Sequence, residues 1–290
     1  QIIGDIPIYV AMDSADTWAN PWLFKLDEKN CPTQVAGCPP DGFSATGQLW
    51  GNPLYNWEVH RNSGYEWWIK RIANCFRLYD VVRIDHFRGF DEYYAIPYGD
   101  ATAENGWWEK GPGIDLFRAI SASLGDREII AEDLGYMTDS VKRLVEESGY
   151  PNMKVIEFAF DERDTGNASD YLPHNYPRNC VVYTGTHDNE TLLSWLEDIT
   201  PAERRQVRKY LNNFKDSGKE LCNDLICLVM QSVANLCIVP MQDYLGLDNS
   251  ARMNQPSTLG KNWKWRLKEG QFTAELQKEM LELATRYGRR

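Results

Sequence analysis

The sequence predicts an α/β protein built on a parallel sheet, and three observations carry that prediction. Apolar, strand-like runs alternate with amphipathic helical stretches, polar and charged residues collect just after the runs, and the connections on that side are long. Helical crossovers between parallel strands produce such an alternation. The polar ends then mark the functional face of a (β/α)8 barrel or the crevice side of an open α/β sheet. Neither G-x-G-x-x-G nor G-x-x-x-x-G-K-S/T occurs, which weakens the open nucleotide-binding sheet and favours the barrel.

Taken in order, residues 2–10 read as a buried strand with Asp5 as an unexpected charge inside it. A polar stretch over about 11–62 follows, long enough to suggest a functional loop. Apolar positions at Tyr65, Trp68, Ile69, Ile72, Phe76 and Tyr79 predict one helix over 63–79 with Ser63 as its N-cap. A strand over 80–85, a Gly- and Trp-rich loop over 89–112, a helix near 113–124 and a strand over 127–131 come next. Thr138 or Asp139 caps a helix that stops near Gly149. Strands over 153–160 and 179–184 are followed by helices near 189–198, 200–213 and 219–234. The second of these opens on a capping box, Thr200-Pro201-Ala202-Glu203. A last strand over 236–240 and a C-terminal helix over 273–287 complete the reading, giving six strands.

The composition, 43% hydrophobic and 25% charged, is that of a globular protein with a substantial core. A net charge of −11, with no Lys/Arg block, makes nucleic acid and anionic membrane poor partners. No apolar run is long enough to span a bilayer. Seven cysteines without a C-x-x-C pair, with Cys180 and Cys237 inside strand-like runs, predict reduced thiols in a cytoplasmic protein. Eleven tryptophans and fifteen tyrosines suit a core or an interface. They equally suit a cleft for the apolar faces of sugars.

The chemistry-bearing residues sit at the strand ends. Arg83 and Asp85 share one face of strand 80–85, and the guanidinium favours the ionised carboxylate that a nucleophile needs. Alone, an R-x-D is more often a structural ion pair. Glu132 and Asp188, however, end two further strands, and parallel strands would bring all three acids to one mouth. Glycoside chemistry asks for one attacking carboxylate and one protonated carboxyl, with a third acid to stiffen hydroxyl contacts in the transition state. Glu132, preceded by Ile129, Ile130 and Ala131 and near Asp85, is placed to have a raised pKa. His187 could donate to sugar hydroxyls, although a lone histidine is more often structural. The four histidines never fall at H-x-x-x-H spacing, so no zinc site is expected. No G-x-S-x-G elbow accompanies Asp85-His86 or His187-Asp188, and Arg83 disfavours a hard cation at Asp85, Glu132 and Asp133.

The stretches GDIPIYV (4–10), PPDGFSATGQLWGNPLY (39–55), VRIDHFRGF (82–90), AEDLG (131–135), LPHNYP (172–177), YTGTHDNET (183–191) and ARMNQP (251–256) occur in this order. The chain in this respect resembles the 4-α-glucanotransferases, or amylomaltases, of the α-amylase superfamily. The resemblance implies Asp85 as nucleophile after barrel strand four, Glu132 as acid/base after strand five and Asp188 as transition-state stabiliser after strand seven, beside His187. It implies that Arg83 orients the nucleophile and that Asp5 is the acid of the strand-three motif. Asp41, Gln48 and Trp50 would belong to a loop closing over the glucan, and Asn254 would be a further sugar contact. Neither metal nor organic cofactor is implied, and the partners would be α-1,4-glucans and maltooligosaccharides, with glucose or maltose as acceptor.

By the same resemblance the chain begins at barrel strand three. Residues 1–290 are then a catalytic (β/α)8 barrel lacking its first two strands, with loop insertions near 11–62 and 89–112. The remainder would come from a longer protein or another chain. Gly42 stands where some relatives carry a bulky aromatic, so the resemblance does not extend to that side chain's sugar contact, and glycine there loosens the loop. The expected activity is retaining transfer of α-1,4-glucan segments. An α-glucan hydrolase of the same superfamily and a catalytically silent glucan-binding fragment are the alternatives.

Overall fold

The computed structural model describes residues 1–41, 44–135, 137–161, 168–214, 217–256 and 258–289. Gly42 lies outside the described residues. The chain divides into two compact units, Gln1–Asn152 and Met153–Arg290.

In the first unit β1 (Ile3–Pro7) is followed by a short helix, α1 (Ala15–Ala19), whose first turn is capped by Ser14. Strands β2 (Gln34–Cys38) and β3 (Gln48–Pro53) come next, then helices α2 (Trp57–Asn62) and α3 (Glu66–Cys75). Strand β4 (Val81–Asp85) precedes β5 (Glu92–Pro97) and β6 (Trp107–Lys110). The unit continues with α4 (Ile114–Leu124), β7 (Ile129–Ala131) and α5 (Asp139–Ser148). Strands β1, β4 and β7 form the expected parallel sheet, in that order. Its register pairs Asp5 with Arg83 and Pro7 with Asp85, so two strand ends meet at one edge.

The stretches expected as loops, 11–62 and 89–112, supply a second sheet, antiparallel, in the order β3-β2-β5-β6. Tyr93, Tyr94, Ala95 and Ile96 are all buried in β5. Tyr94 packs edge-on against Trp108 of β6, ring centroids 5.2 Å apart, the type of cross-strand aromatic pair that stabilises a sheet. Flanking glycines and tryptophans had disguised a strand as a loop.

The helix expected over 63–79 is found as the shorter α3, and a further helix, α2, lies in the stretch before it that was expected as a loop. Asn56 caps α2 through its side chain, and Ser63 is the C-cap, not an N-cap. The break falls where Gly64 and Tyr65 take φ of 64° and 60°, a left-handed conformation that no helix can continue through. The apolar stripe still buries Tyr65, Trp68 and Ile72. Trp68 is fully buried against Tyr55, Trp67 and Phe90. Trp68→Ala is therefore expected to cost about 3–5 kcal/mol of stability, read from urea denaturation midpoints at unchanged slope.

Strand β8 (Asn152–Val155) leads into the second unit. The apolar run expected as a strand to residue 160 turns into a 3-10 helix, Ile156–Phe160, that buries Ile156, Glu157, Ala159 and Phe160. Strand β9 (Cys180–Tyr183) follows, then α6 (Leu192–Asp198), α7 (Pro201–Leu211) and α8 (Gly218–Met230). Both halves of the Thr200–Glu203 capping box are present. Strand β10 (Leu236–Ile238) lies parallel to β9, with Val182 opposite Cys237. Gln242 and Asp243 stand in a short helix, α9 (Met241–Leu245), and are buried. Helix α10 (Ala274–Arg286) ends the described fold. All six predicted strands of the parallel type are found. Among the described residues no helix is long and apolar enough to cross a membrane.

Candidate active site

In the first unit the register of β1, β4 and β7 assembles four of the predicted residues. Arg83 Nη1 stands 2.7 Å from both oxygens of Asp5 and 3.1 Å from Asp85 Oδ1. Arg83 is buried, whereas the Asp5 and Asp85 carboxylates that it meets are partly exposed. One guanidinium thus bridges two carboxylates. Burial opposes its charge, but Glu132, Asp5 and Asp85 outweigh that penalty and hold Arg83 firmly protonated.

Glu132 follows β7 directly. Its backbone N–H donates to Ile84 O at 3.1 Å, which locks it beside the end of β4. Its side chain is only 8% exposed yet accepts from two main-chain donors, His86 N–H at 2.6 Å and Leu134 N–H at 2.8 Å. Burial and then the Asp85 charge push its carboxyl up to about 7, with Arg83 and the two N–H donors opposing. His86 reaches Glu132 by adopting φ of 56°, a strained conformation for a non-glycine residue and one that clusters at functional sites. Desolvation, reinforced by Arg88, pushes its imidazole down to about 3, so His86 is neutral.

Trp50 and Gln48 alternate onto one side of β3, and Trp50 Nε1–H donates to Gln48 Oε1 at 3.0 Å. The Trp50 ring meets His86 edge-on at 4.8 Å, and Tyr9 lies 6.3 Å from it. An aromatic shelf therefore adjoins the residue that follows Asp85. Asp41 Oδ1 accepts from Ser44 N–H at 2.8 Å.

In the second unit the segment after β9 carries His187 and Asp188. Its turn is held by Asn189, whose Oδ1 accepts from Thr186 N–H at 2.9 Å and from the Thr186 hydroxyl at 2.7 Å. Asp188 Oδ1 accepts from Asn254 Nδ2 at 2.5 Å, and Asp188 Oδ2 lies 3.4 Å from His187 Nε2. Asn254 N–H donates to His187 O at 3.0 Å. The three predicted residues of this unit thus form one constellation.

Three further residues were not singled out from the sequence. Arg252 donates to the main-chain carbonyl of Asp188; its only sequence signal was membership of a motif. Trp263, with φ of 62°, packs 5.1 Å from the His187 ring. Glu157, 4% exposed, has its carboxyl driven well above the usual range by burial and by Asp243 and Glu190. A lone acid inside an apolar run, the signal that exposed Asp5, could have found it. Beside it Asn189, Glu190, Thr191, Asp243 and Arg252 help to line a cavity of about 130 Å³.

The sequence profile of the 4-alpha-glucanotransferase family matches residues 1–273. The chain is 51% identical over 290 residues to a 4-alpha-glucanotransferase of Streptococcus pneumoniae, covering 100% of this chain and 56% of that protein. It is 50% identical over 291 residues to the 4-alpha-glucanotransferase of Clostridium butyricum, covering 100% of this chain and 59% of that protein. A solved amylomaltase of Streptococcus agalactiae, in complex with acarbose, superposes with a TM-score of 0.93 at 42% identity, over 99% of this chain and 57% of that one. The chain spans about half the length of the curated relatives it matches.

Proposed function

The chain belongs to the 4-alpha-glucanotransferase family, and from that premise we propose that it carries the catalytic residues of a retaining transfer of α-1,4-glucan segments. The observation that carries the proposal is the split environment of two carboxyls in one unit. Asp85 faces the Arg83 guanidinium at 3.1 Å, whereas Glu132 is buried with its carboxyl near 7. Pairs of acids pushed apart in this way divide into nucleophile and proton donor.

Asp85 attacks C1 of the donor glucan while Glu132 gives its proton to the departing chain's O4, leaving a β-glucosyl ester on Asp85. Esterification removes the Asp85 charge, one of the two influences that raise Glu132. The Glu132 carboxyl then becomes more acidic at the step where it must act as base. It takes the proton from an acceptor 4-OH, that oxygen attacks C1, and an α-1,4 bond is restored with Asp85 released. We assign Asp188 to stabilisation of the oxocarbenium-like transition state and His187 to hydroxyl contacts. Asn254, its Nδ2 engaged by Asp188, offers Oδ1 to the sugar. Arg83 orients Asp85, and Asp5 holds Arg83. Trp50, Gln48 and Asp41 supply the glucan-facing loop, whose aromatic shelf favours transfer by excluding water. No step calls for a metal or an organic cofactor.

We count β1, β4, β7, β8, β9 and β10 as strands three to eight of a (β/α)8 barrel, in keeping with their parallel type and the family match. A cytoplasmic location belongs to the same reading, supported by seven free cysteines. Incubating the whole protein with maltotriose tests the activity. A ladder of longer maltooligosaccharides is expected; glucose and maltose alone would mean hydrolysis, and no turnover a glucan-binding role.

A further inference from the structure

The Asp188 side chain is 41% exposed, so burial does not hold it in place. Asn254 holds its Oδ1 through a hydrogen bond of 2.5 Å, while His187 Nε2 lies 3.4 Å from its Oδ2, and the Asn254 bond depends on how far apart two separate loops are kept. The Asn254 N–H bond to His187 O, 3.0 Å, joins the two loops directly, and one side chain adds a second tie at the residues that matter. Arg252 Nη2–H donates to Asp188 O at 2.6 Å, and its Nε–H donates to Asn254 O at 2.9 Å. Both carbonyls belong to the residues whose side chains are joined.

The remaining arm of the guanidinium, Nη1, lies 3.6 Å from Glu190 Oε1. Glu190 Oε1 in turn accepts from Asn249 Nδ2 at 3.1 Å, and Asn249 Oδ1 accepts from Thr191 N–H at 3.2 Å. The plane of the guanidinium is therefore fixed from behind while its front edge reads two carbonyls. A planar fork can grip two acceptors at a set spacing; an ammonium cannot.

We propose that Arg252 is a positioning residue that acts on the transfer reaction through Asp188, by fixing the spacing of the two main-chain carbonyls that the Asn254–Asp188 bond requires. The inference rests on the proposed role of Asp188. The three nitrogens of its guanidinium face Asn254 O, Asp188 O and Glu190, so the proposed role works through protein groups and needs no contact with the sugar. Its loss leaves the donor site formed and the stabilising carboxylate misplaced, and misplacement by about 1 Å is enough to cost on the order of 100-fold in rate.

The test is maltotriose disproportionation by the whole protein. Arg252→Ala is expected to lower kcat by about 10- to 100-fold with KM nearly unchanged and the thermal midpoint close to wild type. Arg252→Lys, which keeps the charge and loses the fork, should lower kcat by about 10-fold and carries the test if the alanine variant fails to fold. In an Asp188→Asn background, Arg252→Ala should add less than about threefold, because residues that act as a unit are non-additive. An equal loss in both backgrounds would show a role independent of Asp188 and overturn the inference, as would an unchanged kcat in both Arg252 variants. A wild-type protein without transfer activity removes the proposed function and this inference together, whereas an active wild type with indifferent Arg252 variants removes the inference alone.

Discussion

Asp85→Asn is expected to reduce glucan transfer by ~10⁴-fold or more, the scale of loss when a covalent nucleophile is removed, while the fold survives. Asparagine keeps the size of the side chain and can still accept from Arg83 through its amide oxygen, but it cannot form the glucosyl ester. Arg83 would not be left as an uncompensated buried charge, because both Asp5 oxygens stay 2.7 Å from its Nη1. Asp85 is itself well exposed, with 44% of its side chain accessible, so loss of its ion pair is worth less than about 1 kcal/mol. The signature is a collapse of kcat at a nearly unchanged thermal midpoint. Mass spectrometry of wild-type protein quenched during turnover should place a glucosyl adduct on the peptide that contains Asp85, and on no other. Retention of more than a few per cent of wild-type transfer would remove Asp85 from its role.

Much of this could be read in the sequence, for reasons visible in particular residues. The parallel strands were legible because Val81–Asp85, Ile129–Ala131 and Cys180–Tyr183 are short apolar runs buried on both faces, and helices with sharp caps separate them. Thr138, Thr200 and Gly149 took up the cap positions their chemistry suits. The antiparallel sheet was hidden because its strands lie among Gly, Pro and Trp, and because Gln34, Gln48, Asn52 and Glu109 interrupt their apolar runs. The start of α3 at Glu66, past the expected cap at Ser63, turned on the left-handed backbone of Tyr65, which no side-chain pattern announces. At the site, Asp85 and Glu132 were found as charges at strand ends, and Asp5 and Arg83 as charges inside apolar strands. Arg252 was missed because what matters is its grip on two main-chain carbonyls, and carbonyl positions leave no mark in a sequence. The neutral imidazole of His86 follows from desolvation and the nearby Arg88, which only the folded chain specifies.

Glu132→Gln is expected to lower transfer by about 10³–10⁴-fold, near the upper range for a lost acid/base group, and to change how stability depends on pH. In the wild type the carboxyl lies at about 7 when folded against a model value of 4.5. The folded state thus binds more protons than the unfolded state between those values, so stability falls as pH rises through that window. The contribution is fully present below about 4.5 and is lost by pH 8; a shift of this size corresponds to roughly 3 kcal/mol. Glutamine has no such titration. It does, however, offer one carbonyl oxygen where His86 N–H and Leu134 N–H each had an acceptor, and one buried N–H left unpaired costs about 1–3 kcal/mol. The variant should therefore be less stable than wild type at pH 5 and close to it, or more stable, at pH 8. Denaturation midpoints at the two pH values read this crossing directly. Parallel pH profiles for the two proteins would mean that Glu132 titrates as an ordinary carboxylate, and its assignment as proton donor would then fail even if the variant were inactive.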